Sequence, residues 1–239
     1  MNTAEPNNGC TFDCNSLTIT LFLSDNRILI QEVITMDANS MTDGIFIALE
    51  GIDGSGTTTH TKLLSQWLAK KGLEVVQTHE PTNYRIGRLL REILRDTSVP
   101  PAVDALLFAA DRVDHTIHRI QPALDQGKIV ITDRYIESSI AYQSSSGLER
   151  EWVQRLNQYA LKPNLTILLD VPPEVALRRK RKPRLKEKFE QTVFLKKVRQ
   201  IFLDRAKEEG FTVLNAELSI KEVQNQIQKQ VEPLLRSFK

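Results

Sequence analysis

The sequence is poor in cysteine. Cys10 and Cys14 are the only two, so nothing downstream depends on a disulfide framework, as suits the cytosol. Their C-x-x-x-C spacing has no second pair to complete a metal site. Long apolar runs are also missing, and the longest fall far short of a membrane span. An excess of one charge is missing too. The net charge is only +2, which excludes a global basic footprint for nucleic acid. The start, MNTAEPNNGC, lacks the basic residues and following apolar stretch of a signal peptide. What remains is the composition of an ordinary soluble globular protein, 41% hydrophobic and 26% charged over 239 residues, enough for one substantial core or two small ones.

The most informative absence lies in LEGIDGSGTTTHTKLL, residues 49–64. A phosphate-binding loop reads G-x-x-x-x-G-K-[ST]. Gly51 and Gly56 have that spacing, and Thr58 stands where the magnesium-binding hydroxyl belongs, but Thr57 occupies the lysine position. Three of the ten glycines, 51, 54 and 56, fall within six residues. Glycines let backbone N–H groups approach an anion, and the N-terminus of the helix that follows adds positive potential. Such a loop can bind phosphate without the lysine.

Residues 1–43 read as an N-terminal extension: an appended segment, a mis-assigned start or a poorly ordered arm. LTITLFL and ILIQEVI within it are strand-like, with no evident partner downstream. From Gly44 the chain alternates. GIFIALEG is a buried-strand pattern, followed by the amphipathic helix TTHTKLLSQWLAKKG. LEVVQTHEP is a second strand, and NYRIGRLLREILRD a helix with Ile86, Leu89, Leu90, Ile93 and Leu94 along one side. Residues 99–127 predict one long helix with apolar residues at 103, 107, 110, 113, 117, 120 and 124, kinked at Pro122. KIVITDRY, LTILLDV and FTVLN are further strands, with helices after each, one of them over about 190–209. This order predicts an α/β fold, a parallel sheet flanked by helices, with ligands outside the carboxyl ends of the strands. The 51–59 loop, Glu80–Pro81, Asp133–Arg134 and Asp170 all lie at such ends and are expected to converge.

Within ITDRYIESSIAYQ, Arg134 can contact a transferring phosphoryl group and Asp133 can organise magnesium. Ser138, Ser139, Tyr142 and Gln143 follow on a helix facing the cleft. In LLFAADRVDH, Phe108 and Arg112 are spaced i, i+4, a ring and a guanidinium suited to a nucleobase. In RRKRKPRLKEK, residues 178–188, eight of eleven residues are basic, and the run is placed to fold over the cleft as a lid.

Taken together, EGIDGSGTTT, HEP, FAADR, DRYIESSIAYQ and LDVPPEVALRR resemble the thymidylate kinase family over residues 44–237. The resemblance implies a three-layer P-loop fold with a five-stranded parallel sheet, a basic lid at about 178–190, a homodimer, and magnesium-dependent transfer of phosphate from ATP to dTMP in the cytoplasm, with no nucleic-acid or membrane partner. It implies that Gly51, Ile52, Asp53, Gly54, Ser55, Gly56, Thr57, Thr58 and Thr59 cradle the ATP phosphates. Thr58 and Asp133 would hold magnesium, and Asp53 the sugar 3′-hydroxyl of dTMP. Glu80 lines the acceptor site, Arg91 binds its phosphate, Phe108 stacks on thymine, Arg112 bonds its edge, and Ser139 and Tyr142 contact base and sugar. Arg134 bridges the acceptor phosphate toward ATP. Arg178, Arg179, Arg181 or Arg184 of the lid would partly replace the missing lysine. Two other readings follow from the same residues: a kinase for another pyrimidine nucleotide or nucleoside, and a nucleotide-binding protein impaired by Thr57.

Overall fold

The computed structural model describes residues 11–14, 17–24, 27–32, 44–96, 98–179 and 185–237. The chain divides into two units, Met1–Met41 and Thr42–Lys239. In the first, strands β1 (Thr11–Cys14), β2 (Leu17–Ser24) and β3 (Arg27–Glu32) form an antiparallel sheet in the order β1-β2-β3. The register pairs Phe22 with Leu29 and Ser24 with Arg27. The two strand-like runs of the N-terminal segment are thus each other's partners.

The second unit is built on β4 (Ile45–Glu50), β5 (Val75–His79), β6 (Ile129–Asp133), β7 (Leu165–Asp170) and β8 (Thr212–Asn215), all parallel, in the order β5-β6-β4-β7-β8. Every residue of β4 and β6 is buried, as an inner parallel strand covered on both faces requires. Side chains alternate between the two faces. Ile45, Ile47 and Leu49 pack with Leu64 and Leu68 of α1 (Thr57–Lys70), with Val198 and Phe202 of α8 (Leu185–Glu209), and with Val223 and Ile227 of α9 (Ile220–Ser237). Phe46 and Ala48 face the other way, against Ile120, Leu124 and Tyr135. The strand ends are level: Asp133 pairs with both Leu49 and His79. The loops that follow therefore open on one edge.

The long helix is α3 (Pro101–His115), a π-turn over Thr116–Ile120, and α4 (Gln121–Leu124). Pro122 has no N–H to offer one turn back, and the Gln121 N–H reaches Thr116 O instead, a wider turn that absorbs the defect. The turn also rotates the apolar stripe. Ile120 and Leu124 are fully buried, whereas Val103, Val113 and Ile117 remain exposed. The stripe is thus not one core face. On α2 (Arg85–Ile93), Leu90 is buried but Leu89 is exposed. After β6 come α5 (Ile136–Ser145) and α6 (Arg150–Leu156), and after β7 comes α7 (Pro173–Arg179). Residues 180–184, most of the expected lid before α8, lie outside the described residues.

Candidate active site

Between β4 and α1 the chain turns through Gly51, Gly54 and Gly56, all at positive φ. Gly54 has a second reason to be glycine: a Cβ there would lie 2.5 Å from the Ala176 carbonyl oxygen. No side chain caps the first turn of α1, and that turn contains no acid, so its N–H groups are free to meet an anion. The turn borders a cavity of about 400 Å³ lined by Asp53, Gly54, Gly56, Thr57, Thr58, Thr59, Arg134 and Arg179. Ile52 and Ser55 are buried, so both serve the loop through their backbone.

Among the described residues, two cations border this cavity. Arg179 ends α7 and donates to Gly54 O at 3.3 Å and Ala216 O at 2.7 Å. Arg134 donates to Gly51 O at 2.9 Å, Ser138 Oγ at 3.0 Å and Asp53 Oδ1 at 2.7 Å. His60, one turn into α1, is not a third. Burial holds its pKa below the ordinary histidine value, as does Arg179, despite the 2.9 Å hydrogen bond to Gln224.

Thr58 Oγ1 donates to Asp133 Oδ2 at 2.5 Å. Asp133 Oδ1 is buried and has no hydrogen-bond partner among the described residues. Hydroxyl and carboxylate oxygens are the donors magnesium takes, and magnesium is commonly held by few protein groups plus phosphate oxygens and water. The residues present fit that ion.

Arg134 holds φ 70°, a left-handed conformation that a non-glycine residue rarely adopts. It turns the chain at the end of β6 and lays its guanidinium over the Tyr142 ring at 5.2 Å. The Tyr142 hydroxyl accepts from Asp53 N at 2.9 Å and donates to Asp53 Oδ1 at 3.2 Å. Burial pushes this hydroxyl up to about 12, against Arg134, with Asp53 adding to the rise. It therefore keeps its proton and remains a donor.

Beyond Arg134 lies a second cluster. Glu80, joined to Pro81 by a cis peptide, is buried at the end of β5. Its carboxylate pairs with Arg112 Nη2 at 2.7 Å and His115 Nδ1 at 3.0 Å. Arg112 is 1% exposed. It also donates to Asn157 Oδ1, Tyr135 O and Ser139 Oγ, and its Nε has no partner among the described residues. Asp111 accepts from the Thr82 N–H and hydroxyl at 2.7 and 2.5 Å. Arg91 donates to the carbonyls of Pro81 and Thr82, pinning the turn after β5. Phe108 is half-buried one turn before Arg112.

The sequence itself matches a known family. The sequence model of thymidylate kinase matches residues 49–227. This chain belongs to the thymidylate kinase family. A protein named probable thymidylate kinase from Pyrobaculum aerophilum is 47% identical over 192 residues, covering 80% of this chain and 98% of the relative. One so named from Pyrobaculum calidifontis is 45% identical over 196 residues, 82% of this chain and 100% of the relative. Another, from Methanocaldococcus jannaschii, is 44% identical over 189 residues, covering 78% and 95%.

For a thymidylate kinase family member, the expected site residues fall into two adjoining groups. Asp53, Thr57, Thr58, Thr59, Arg134 and Arg179 surround the loop cavity. Glu80, Arg112 and Ser139 share one hydrogen-bond network. Arg178 is exposed on α7, and Arg181 and Arg184 lie outside the described residues. Asp170, at the end of β7, is held by Arg199, which donates to both its oxygens at 2.6 and 2.8 Å. Sequence reasoning missed Glu50, Asp111, His115 and Asn157. Asp111 and His115 carried a signal through their place in LLFAADRVDH, and Glu50 through its place in EGIDGSGTTT. Asn157 becomes visible when distant elements meet.

Proposed function

We propose that this chain transfers the γ-phosphoryl group of ATP to dTMP. A phosphate oxygen of the acceptor attacks the γ-phosphorus, the bond to the β-phosphate oxygen breaks, and ADP leaves with dTDP formed. One observation carries the proposal. Arg134 borders the loop cavity with its guanidinium on Gly51 O and Asp53, and the carbonyl of the next residue, Tyr135, accepts from Arg112 of the acceptor cluster. In this reading backbone N–H groups of 51–59 hold the ATP phosphates. Thr58 and Asp133 hold magnesium, which when bound neutralises phosphate charge. Asp53 takes the sugar 3′-hydroxyl, and Tyr142 packs against the sugar. Arg91 meets the acceptor phosphate, Phe108 stacks on the base, and Arg112, whose Nε has no partner among the described residues, meets its edge with Ser139.

Arg179, near the loop carbonyl of Gly54, is the best-supported source of the charge that Thr57 cannot supply, and Arg178, Arg181 and Arg184 are further sources in the lid. The proposal includes residues 44–239 as the kinase domain after a separate 1–43 extension, and a cytoplasmic location. It also includes a homodimer, supported by the exposed Leu89 of α2, Leu94 just after it, Leu106 and Val113 of α3, and Ile117 of the π-turn. The test is ADP formation by the purified chain with ATP, magnesium and dTMP, beside Thr57→Lys and Thr57→Ala. Turnover by the natural chain, with little gain from lysine, is expected. Absence of dTDP from the natural chain overturns the reading.

A further inference from the structure

Glu50 ends β4, directly before the phosphate loop, yet its side chain serves another element. The carboxylate is buried. Oε1 accepts the Tyr135 N–H at 2.9 Å and Oε2 accepts the Ser138 hydroxyl at 2.5 Å. Tyr135 is the N-cap of α5 and provides no side-chain cap of its own. Glu50 thus caps α5 from across the sheet, satisfying a donor that would otherwise be stranded. The corner it holds includes Arg134 in its left-handed conformation. Ser138 Oγ, fixed by Glu50, is in turn an acceptor for Arg134 Nη1 at 3.0 Å. The chain of contacts runs from Glu50 through Ser138 to Arg134, and from Arg134 to Gly51 and Asp53.

We propose that Glu50 is a positioning residue for phosphoryl transfer: it clamps the Arg134–Tyr135 corner and, through Ser138, aims the Arg134 guanidinium at the phosphates. This rests on the kinase reading of Arg134. The charged groups around Glu50 are Arg134 from the corner, Glu137 of α5, Arg205 of α8, which pairs with Glu137 at 2.9 Å, and Lys162 and Glu209 on the wall of a cavity of about 390 Å³ that Glu50 also lines. Burial pushes the Glu50 carboxyl up to about 7, with Ser138 and Arg134 holding it down. Above about pH 7 the ionised carboxylate accepts both hydrogen bonds and balances Arg134. Below it, one oxygen carries a proton and must donate toward Ser138, so the relay reverses and the countercharge is lost. Activity falls as pH drops through about 7. Stability runs the other way. A carboxyl raised from 4.5 favours the fold fully below about pH 4.5, and that contribution is gone above about 7.

The opposed signs define the experiment. Glu50→Gln keeps the shape and removes the charge. In the full-length protein at pH 8 it lowers kcat about 10- to 100-fold, leaves the KM for dTMP within about twofold, and raises Tm. The step in kcat near pH 7 disappears, and Ser138→Ala shares the loss of kcat. A separate reading needs no turnover: the Arg134 side-chain Nε–H resonance of ¹⁵N-arginine-labelled protein shifts in Glu50→Gln. Wild-type kcat in Glu50→Gln, a Tm that falls together with kcat, or an unmoved Arg134 resonance overturns the proposal. A natural chain inert toward dTMP overturns the kinase reading instead, and the Arg134 resonance still decides whether Glu50 aims that side chain.

Discussion

The two halves of the site are built on opposite plans. The loop side is open and made of backbone: glycines at positive φ, an uncapped helix start, and two arginines at the margin. The acceptor side is closed and made of side chains: Glu80, buried, pairs with the buried Arg112 and His115. A backbone site tolerates the loss of one side chain, because its N–H groups and helix terminus remain. A buried ionic network does not, because removing one member leaves its partner's charge stranded. This is why a threonine in place of the loop lysine is compatible with an otherwise intact site.

The largest expected effect breaks the comparison at its joint. Arg134→Ala removes the one cation shared by both halves, and kcat falls about 10³-fold or more. Single-turnover kinetics read this. Next, Arg112→Leu strikes the closed half. It leaves Glu80 buried against His115 alone and costs about 3–5 kcal/mol, a fall of about 10 °C in Tm. ATP-analogue binding by the folded fraction is unchanged. Arg179→Ala strikes the open half. Its side chain is exposed, so Tm holds, while kcat/KM for ATP falls about tenfold and calorimetric dTMP binding is unaffected. Equal losses on both substrates would remove the distinction between the halves. The smallest effect is a control: Lys196→Ala breaks an exposed 2.8 Å pair with Glu174 and costs less than about 1 kcal/mol by chemical denaturation.

The open half was legible in the sequence, and the closed half only in part: Glu80, Arg112 and Ser139 stood out, but not the network that joins them. Gly51, Gly54 and Gly56 announce a loop because positive φ and close approach are local needs with a local signature. Asp133 and Arg134 were legible because a parallel strand places its last residue at the ligand edge. The contacts of the closed half had no such signature. Glu80 meets Arg112 across 32 residues, and Arg112 meets Asn157 across 45. Glu50 and Ser138 are 88 residues apart. In the long helix, a period of 3.6 was the right first reading. The π-turn ahead of Pro122 shifted the stripe, so residues that share one face on paper divide between core and surface.

By itself, the sequence determined the order of strands and helices, the phosphate loop and the family, because each rests on spacing along the chain. Only the tertiary structure decided which cations stand at the loop. Arg134, Arg178 and Arg179 are equivalent as letters. The parallel order β5-β6-β4-β7-β8 sets Arg134 and Arg179 against the loop carbonyls of Gly51 and Gly54, while Arg178, on the same helix as Arg179 and equally exposed, does not line the loop cavity. The reason is physical: successive residues on a helix point about 100° apart, so one can reach the loop while its neighbour faces elsewhere.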